Sequence, residues 1–260
     1  MDESPIGVQD SHKSGALHQG YQWVYRNPVK GLVLFKYNSS RSKKVPEEIL
    51  SNYSGYLQTD GYAAYKNLVT KGDITLLGCM AHARRYFEKA LDNDHKRASY
   101  AIKLIQELYA IERKCKERSV DGNTKQRYRE RYTAPVLIQM KQWLDDNLNQ
   151  VLPKSSIGKA IAYTIKIWKN LERYVLDPRF EIDNNLIENS IRPLALGRKN
   201  YLFAGSHKAA QNIAMMYSFF ASCKVNQVEP LEWLTHTLEN ILEHKANKLS
   251  ELLPHNYKSN

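Results

Sequence analysis

The chain predicts a mixed α/β fold (α+β), in which a strand-rich beginning is followed by an all-helical insertion and then by a return to the core. Three observations predict it. Apolar and aromatic runs bounded by turn residues crowd the first 82 positions, helical spacing of apolar residues takes over from about 83 to 175, and a polar helical segment near Asp183 precedes two more apolar helical periods. The expected division is therefore 1–82 for the strand-rich part of the core, 83–175 for the helical insertion and 176–260 for the return.

The elements follow in order. Gln22-Trp-Val-Tyr-Arg26 and Leu32-Val-Leu-Phe-Lys-Tyr37 read as strands, and Asn27-Pro-Val-Lys-Gly31 between them reads as a hairpin turn. Residues 8–20, with Asp10, Ser11, Ser14, Gly15 and Gly20, are expected to form a loop or long turn. A helix is expected from Pro46 to about Asn52, a strand over Leu57–Asp60, a helix over Tyr62–Leu68 and a strand over Ile74–Cys79. Ala101–Glu112, Tyr128–Leu148 and Ile157–Tyr174 carry apolar faces at helical spacing, with Val120–Thr124 as a loop. Ala209–Ser222 and Leu231–Leu242 are two further helices broken at Glu229-Pro230, and the residues from Pro254 onward are expected to fray. Trp23, Trp143, Trp168 and Trp233 sit in apolar periods and are assigned to the core, whereas the 17 tyrosines admit no such assignment.

Charge and cysteine usage narrow the function. With 38 Lys and Arg against 27 Asp and Glu the net charge is +11, which favours a polyanionic partner through steering and counterion release. The 42% hydrophobic content suffices for a sizeable core. Cys79, Cys115 and Cys223 are too few for a disulfide framework and point to a reducing, cytoplasmic compartment. No apolar run approaches the roughly 18 residues that mark a membrane span, and the polar start shows no signal-peptide core.

Residues that could carry chemistry stand at three places. In Glu181-Ile-Asp-Asn-Asn-Leu-Ile-Glu188-Asn-Ser-Ile-Arg192, a helix from about Asn184 puts Glu188 and Arg192 on one face, with Lys199 two turns beyond Arg192. Alone, that segment equally fits an amphipathic helix capped by Asp183 with a solvated polar face. Gly55-Tyr-Leu-Gln-Thr-Asp60-Gly61 ends a strand signal in an acid, where a sheet end meets its loops, although Asp-Gly is also a common turn pair. Cys79-x-x-His82 follows the next strand, but no second Cys/His pair stands at zinc-ligand spacing. Cys79 fits a small buried residue, and His82 fits either a packing role or a contact to a DNA phosphate or a displaced strand end, with Arg84 and Arg85 beside it. Arg192 and Arg198 suit bidentate phosphate contacts and Lys199 suits a point-charge contact.

These segments, with Met1-Asp-Glu-Ser4, Tyr21-Gln-Trp-Val-Tyr-Arg26, Leu108-Tyr-Ala-Ile-Glu112, Lys159-Ala-Ile-Ala-Tyr163 and Ala204-Gly-Ser206, resemble in order and spacing the insertion-sequence-66 family of bacterial transposases. The resemblance runs along nearly the whole chain. It implies a ribonuclease H-like mixed sheet with an all-helical insertion before the catalytic-glutamate helix, and an Asp-Asp-Glu triad that falls on Asp2, Asp60 and Glu188. In that reading the three carboxylates hold two Mg²⁺ (or Mn²⁺) ions, whose hard-oxygen preference they match. Such ions, about 3.5–4 Å apart, neutralise the attacking and leaving oxygens of DNA strand cleavage and strand transfer. The implied partners are transposon ends and target DNA, together with other copies of the chain, and the implied place is the bacterial nucleoid. Since Met1 stands immediately before the first acid, the sequence is expected to be an N-terminally shortened catalytic domain. The alternatives are a catalytically inactive DNA-binding remnant and a ribonuclease H-like nuclease.

Overall fold

A computed structural model describes residues 1–9, 16–62, 65–71 and 73–257. In chain order the elements are β1 (Asp2–Gln9), β2 (Leu17–Asn27), β3 (Leu32–Asn38), α1 (Lys44–Ile49), β4 (Gly55–Gln58), α2 (Lys66–Lys71), β5 (Ile74–Leu77) and α3 (Met80–Glu88). They continue as α4 (His95–Glu117), α5 (Gly122–Tyr128), α6 (Ala134–Leu148), α7 (Ser156–Lys166), α8 (Trp168–Glu172), α9 (Asn185–Tyr201), α10 (His207–Val225) and α11 (Pro230–Asn240). The architecture is mixed α/β and falls into two compact units, one of residues 1–50 with 186–260 and one of residues 51–185. The expected boundary near residue 82 thus lies inside the second unit, which joins β4 and β5 to the helical insertion.

The first unit holds an antiparallel sheet in the order β1-β2-β3, with Asp2 opposite Val24 and Val24 opposite Phe35. Alternation along the strands sends Ile6, Val8, Val24, Val33, Phe35 and Tyr37 to one face, where they pack with Ile187 and Leu194 of α9 and Ala210 and Ala214 of α10. The edge of β3 is satisfied by α10 side chains. Phe35 N–H donates to Ser218 Oγ at 2.8 Å, Val33 N–H to Ser222 Oγ at 3.1 Å, and Asn226 Nδ2 donates to Gly31 O at 2.7 Å. The match is geometric, because four residues of helix rise about 6 Å and two residues of strand span about 6.6 Å. At the other edge, Ala204 pairs with the end of β1 through Gln9 N–H to Ala204 O and Ala204 N–H to Gly7 O, each 2.8 Å.

The second unit holds the two-stranded parallel sheet β4-β5 and one large apolar core built from α3, α4, α6, α7 and α8. Phe87, Ala101, Ile105, Leu108, Met140, Leu144, Ile161 and Trp168 all lie in it. Arg129 is completely buried in a π-helical segment (Arg129–Thr133) and grips Glu112 with two nitrogens at 2.8 and 2.9 Å. Its remaining hydrogens go to the carbonyls of Tyr174, Asp177 and Phe180. That planar fork ties the connection after α8 to the helical core at five points.

Several sequence expectations shift. The strand expected through Asp60 stops at Gln58 and the one expected through Cys79 stops at Leu77, so both residues lie in the loops just past a parallel pair. Of the loop expected over Val120–Thr124 only Val120 and Asp121 are loop: Asp121 caps α5, which begins at Gly122, its carboxylate accepting Thr124 N–H at 2.8 Å. The helix expected over 46–52 runs Lys44–Ile49, and the one expected from Tyr62 is recorded from Lys66, with residues 63 and 64 outside the described part. Of the loop expected over 8–20, residues 10–15 lie outside the described part, while β1 reaches Gln9 and β2 begins at Leu17. The expected fraying from Pro254 is not seen through Tyr257, since Asn256 and Tyr257 N–H both bond Leu253 O and Tyr257 packs on His236. Residues 258–260 are outside the described part. Trp23, Trp168 and Trp233 are buried as expected, and Trp143 packs partly buried against the same core as Trp168.

Removing the Arg129 fork leaves three carbonyls without their partner and, among the described residues, Glu112 with only Lys125 at 3.4 Å, so Arg129→Ala should destabilise the second unit by about 3–5 kcal/mol. Urea unfolding followed by circular dichroism measures this, and a loss below about 1 kcal/mol would contradict the assigned role.

Candidate active site

In the second unit the parallel strands β4 and β5 end side by side, and the loops that follow carry Asp60 and Cys79. Asp60 is fixed at both its side chain and its backbone. Its Oδ1 accepts Tyr62 N–H at 2.8 Å and its carbonyl accepts the Tyr163 hydroxyl at 2.9 Å. Gly61 makes the turn at φ +85°, where other residues are strained, and a Cβ there would also stand a tight 3.2 Å from the Tyr163 hydroxyl oxygen. Burial, followed by the Asp60 carboxylate, raises the Tyr163 phenol far above its ordinary value, which keeps it a hydrogen-bond donor.

Cys79 precedes α3 and is fully buried. His82 Nδ1 lies 3.2 Å from its sulfur, and Arg85 Nη1 lies 3.2 Å from His82 Nε2. A guanidinium only donates, so Nε2 is the acceptor, Nδ1 carries the proton and the sulfur accepts it. The same sulfur accepts Asn184 N–H at 3.2 Å, and Met80 N–H bonds Ile182 O at 3.1 Å. Burial pushes the Cys79 thiol up to about 11, against the smaller lowering from Asn184 and His82. The pair therefore acts as a clasp on residues 182–184. Next to it, buried Asp183 accepts the Tyr109 hydroxyl at 2.6 Å and Asn185 N–H at 2.9 Å, the capping role expected of it.

In the first unit, Asp2 is the first residue of β1 and is held in the ladder opposite Val24, with Met1 buried before it. Its Oδ1 accepts Glu3 N–H at 2.8 Å. Glu188 lies in the first turn of α9, where the helix dipole favours a negative charge. Arg192 and Lys199 follow at 4 and 11 residues on the same face and are exposed, as phosphate contacts require. Arg198 is used within its own unit, donating to Pro5 O, and Arg84 is paired with Glu88 at 2.8 Å. Of the expected DNA contacts, these two are thus already engaged, as are His82 with Cys79 and Arg85 with His82. Gly197 does not stop α9, which continues to Tyr201; it lets Tyr217 approach, since a Cβ there would stand 2.5 Å from the Tyr217 hydroxyl oxygen.

Asp2 and Glu188 belong to the first unit and Asp60 to the second. Among the described residues, neither unit by itself groups three His, Cys, Asp or Glu side chains so as to hold a metal ion. The expected set draws on both units, and its all-oxygen donors suit a hard cation rather than zinc. Sequence reasoning missed Tyr163, Tyr109 and the Asn184 backbone as partners of these groups. Their only signal was position inside helical or polar runs, which says nothing about a contact about 75 to 105 residues away in sequence.

Two family models match the chain. One, described as "Transposase IS66 family", covers residues 1–212, and the other, "IS66 C-terminal element", covers residues 218–255. Among curated proteins, the chain is 33% identical over 244 residues to "Uncharacterized protein y4jD" of Sinorhizobium fredii, spanning 90% of this chain and 47% of that protein. It is 31% identical over 261 residues to "Uncharacterized protein y4qI" of the same organism, spanning 94% and 48%. The chain thus spans about half the length of the curated relatives it matches. No solved structure matches it.

All three cysteines are free and buried, and burial raises the thiols of Cys79 and Cys223 to about 11 and that of Cys115 upward as well. Each raised pKa means the folded state holds its proton more tightly, so this stability is fully present below the ordinary thiol value of 9.0 and is lost as pH rises toward about 11. Iodoacetamide at pH 8 should label none of the three in the folded chain and all three in guanidinium. Rapid labelling of Cys79 in the folded chain would contradict the clasp.

Proposed function

This chain belongs to the IS66 family of transposases, and from that premise we propose that it is the catalytic portion of a DNA transposase that cuts and joins DNA strands with Asp2, Asp60 and Glu188. The observation that carries the reading is that one family match runs from residue 1 to residue 212 and takes in all three acids. The element order supports a ribonuclease H-like core: an antiparallel hairpin sheet, then a parallel pair, a helical insertion and a helix bearing the glutamate. Mg²⁺ or Mn²⁺, held as two ions, would supply charge neutralisation at the attacking and leaving oxygens. The protein's own residues position the acids. The Tyr62 N–H and the Tyr163 hydroxyl fix the Asp60 loop, the β1 ladder fixes Asp2, and the α9 N-terminus favours the charge of Glu188.

DNA is the partner in this reading, and Arg192 and Lys199 meet its phosphates, with Arg85 and His82 beside the Asp60 loop and Arg84 and Arg198 acting once freed from Glu88 and Pro5. The active form is an oligomer, as pairing of two transposon ends requires, and it works on the bacterial nucleoid. Among the described residues no helix is long and apolar enough to cross a membrane.

A supercoiled plasmid incubated with the chain and Mg²⁺ should be nicked, and Asp2→Asn, Asp60→Asn and Glu188→Gln should each lower that rate by about two orders of magnitude or more while DNA binding is kept. Nicking that survives these changes would refute the triad. Binding without nicking would leave the inactive remnant, and nicking without strand transfer would leave the nuclease. In a salt titration of duplex binding, Arg192→Ala and Lys199→Ala should each flatten the log–log slope by about 0.9. Unchanged slopes in both would remove α9 from the DNA path.

A further inference from the structure

The helical insertion presents a surface that the triad does not use. On α3, His82, Arg85 and Tyr86 stand at i, i+3 and i+4 with the C-cap Lys89 at i+7, and on α7, Lys159, Tyr163 and Lys166 stand at i, i+4 and i+7. The opposite faces of both helices are buried, Ala83 and Phe87 on one and Ile157, Ala160 and Ile161 on the other. Tyr86 and Tyr163 meet across the helix pair as a stack, with ring centroids 4.2 Å apart and planes at 19°. Tyr163 bonds the backbone of Asp60, so this stack adjoins the acid loop. Tyr86 keeps 40% of its surface exposed although an aromatic ring gains by burial, and Lys89, Lys159, Lys166 and Arg85, the last in contact with His82, are all exposed cations at these positions. The nearest acid on α3, Glu88, is paired with Arg84.

We infer that the Tyr86–Tyr163 stack is a platform for an unpaired nucleobase of a single DNA strand lying along α3 and α7, and the inference rests on the transposase reading for its choice of occupant. Bases have two π-faces and phosphates a negative charge. A stacked pair whose Tyr86 ring stays 40% exposed, on helix faces that also carry Arg85, Lys89, Lys159 and Lys166, is complementary to both. A duplex hides its base faces and could use only the cations. A platform next to Asp60 would hold a strand end splayed from its complement, the form in which a terminal phosphodiester becomes accessible.

The test uses the full chain and a short single-stranded oligodeoxynucleotide carrying 5-iododeoxyuridine, with affinity read by anisotropy and the photocrosslink mapped by mass spectrometry. The crosslink should map to Tyr86. Tyr86→Ala should weaken single-strand binding at least about fivefold and abolish that crosslink while changing duplex affinity less than twofold, and Tyr86→Phe, which keeps the ring, should behave as the parent. Tyr86→Ala also loses the stack on Tyr163, so the circular dichroism melt of each variant is recorded and every affinity is read well below the lowest transition. Single-strand affinity unchanged in Tyr86→Ala, an equal loss for duplex and single strand, or a crosslink outside α3 and α7 would each overturn the platform. Tighter binding of the matching RNA strand would overturn DNA as its occupant. Nicking independent of Asp60 would defeat the proposed function alone, because the crosslink and the single-strand affinity are read without catalysis.

Discussion

The second unit depends on closing a long excursion. The chain leaves β5 at Leu77, builds six helices and must come back to the same place at Ile182. Two buried devices perform the closure. Arg129 gathers the carbonyls of Tyr174, Asp177 and Phe180, and the Cys79 sulfur with Met80 N–H takes hold of Ile182 and Asn184. Loop-closure entropy grows only slowly with length, so a large helical insertion costs little once its ends are pinned. What matters is that the pins are specific. A guanidinium fork and a sulfur accepting two N–H groups each tolerate few substitutes.

The first unit solves a different problem, that of exposed sheet edges. An unpaired strand edge invites association with another chain. Here the free edge of β3 is met by Ser218 and Ser222 of α10 and, at the turn before the strand, by the C-cap Asn226, and the end of β1 by Ala204. These residues also explain why α10 is only weakly amphipathic in sequence. Part of its buried face is polar because it must satisfy backbone groups, and its apolar part is mostly alanine.

How much of this was legible in the sequence follows from the range of each interaction. Hairpin and helices were legible because alternation along β2 and β3 and the helical spacing in α4, α6 and α7 are local consequences of side chains facing one core. The cap at Asp183 was legible for the same reason. Element ends were less so. Asp60 and Cys79 read as strand ends but each stands two residues past its strand, since the hydrogen bonds that stop a parallel pair come from elsewhere in the chain. Gly122–Thr124 read as loop because Asp-Gly signals a turn as strongly as a helix start. The partners of the candidate site were not legible at all. Tyr163 lies 103 residues from Asp60, and Asn184 lies 105 from Cys79. Nor does any local pattern distinguish a tyrosine that orders a loop from one that fills a core.

The central claim is that Asp2, Asp60 and Glu188 together bind the cations of strand cleavage. The most direct measurement replaces Mg²⁺ with Fe²⁺ and lets locally generated hydroxyl radicals cut the polypeptide beside the bound metal, with the fragments sized by mass spectrometry. The account predicts three cuts, close to residues 2, 60 and 188, all suppressed together by excess Mg²⁺ and all lost in Asp60→Asn. Cuts at one or two of these places that persist in Asp60→Asn, or cuts only elsewhere in the chain, would contradict it.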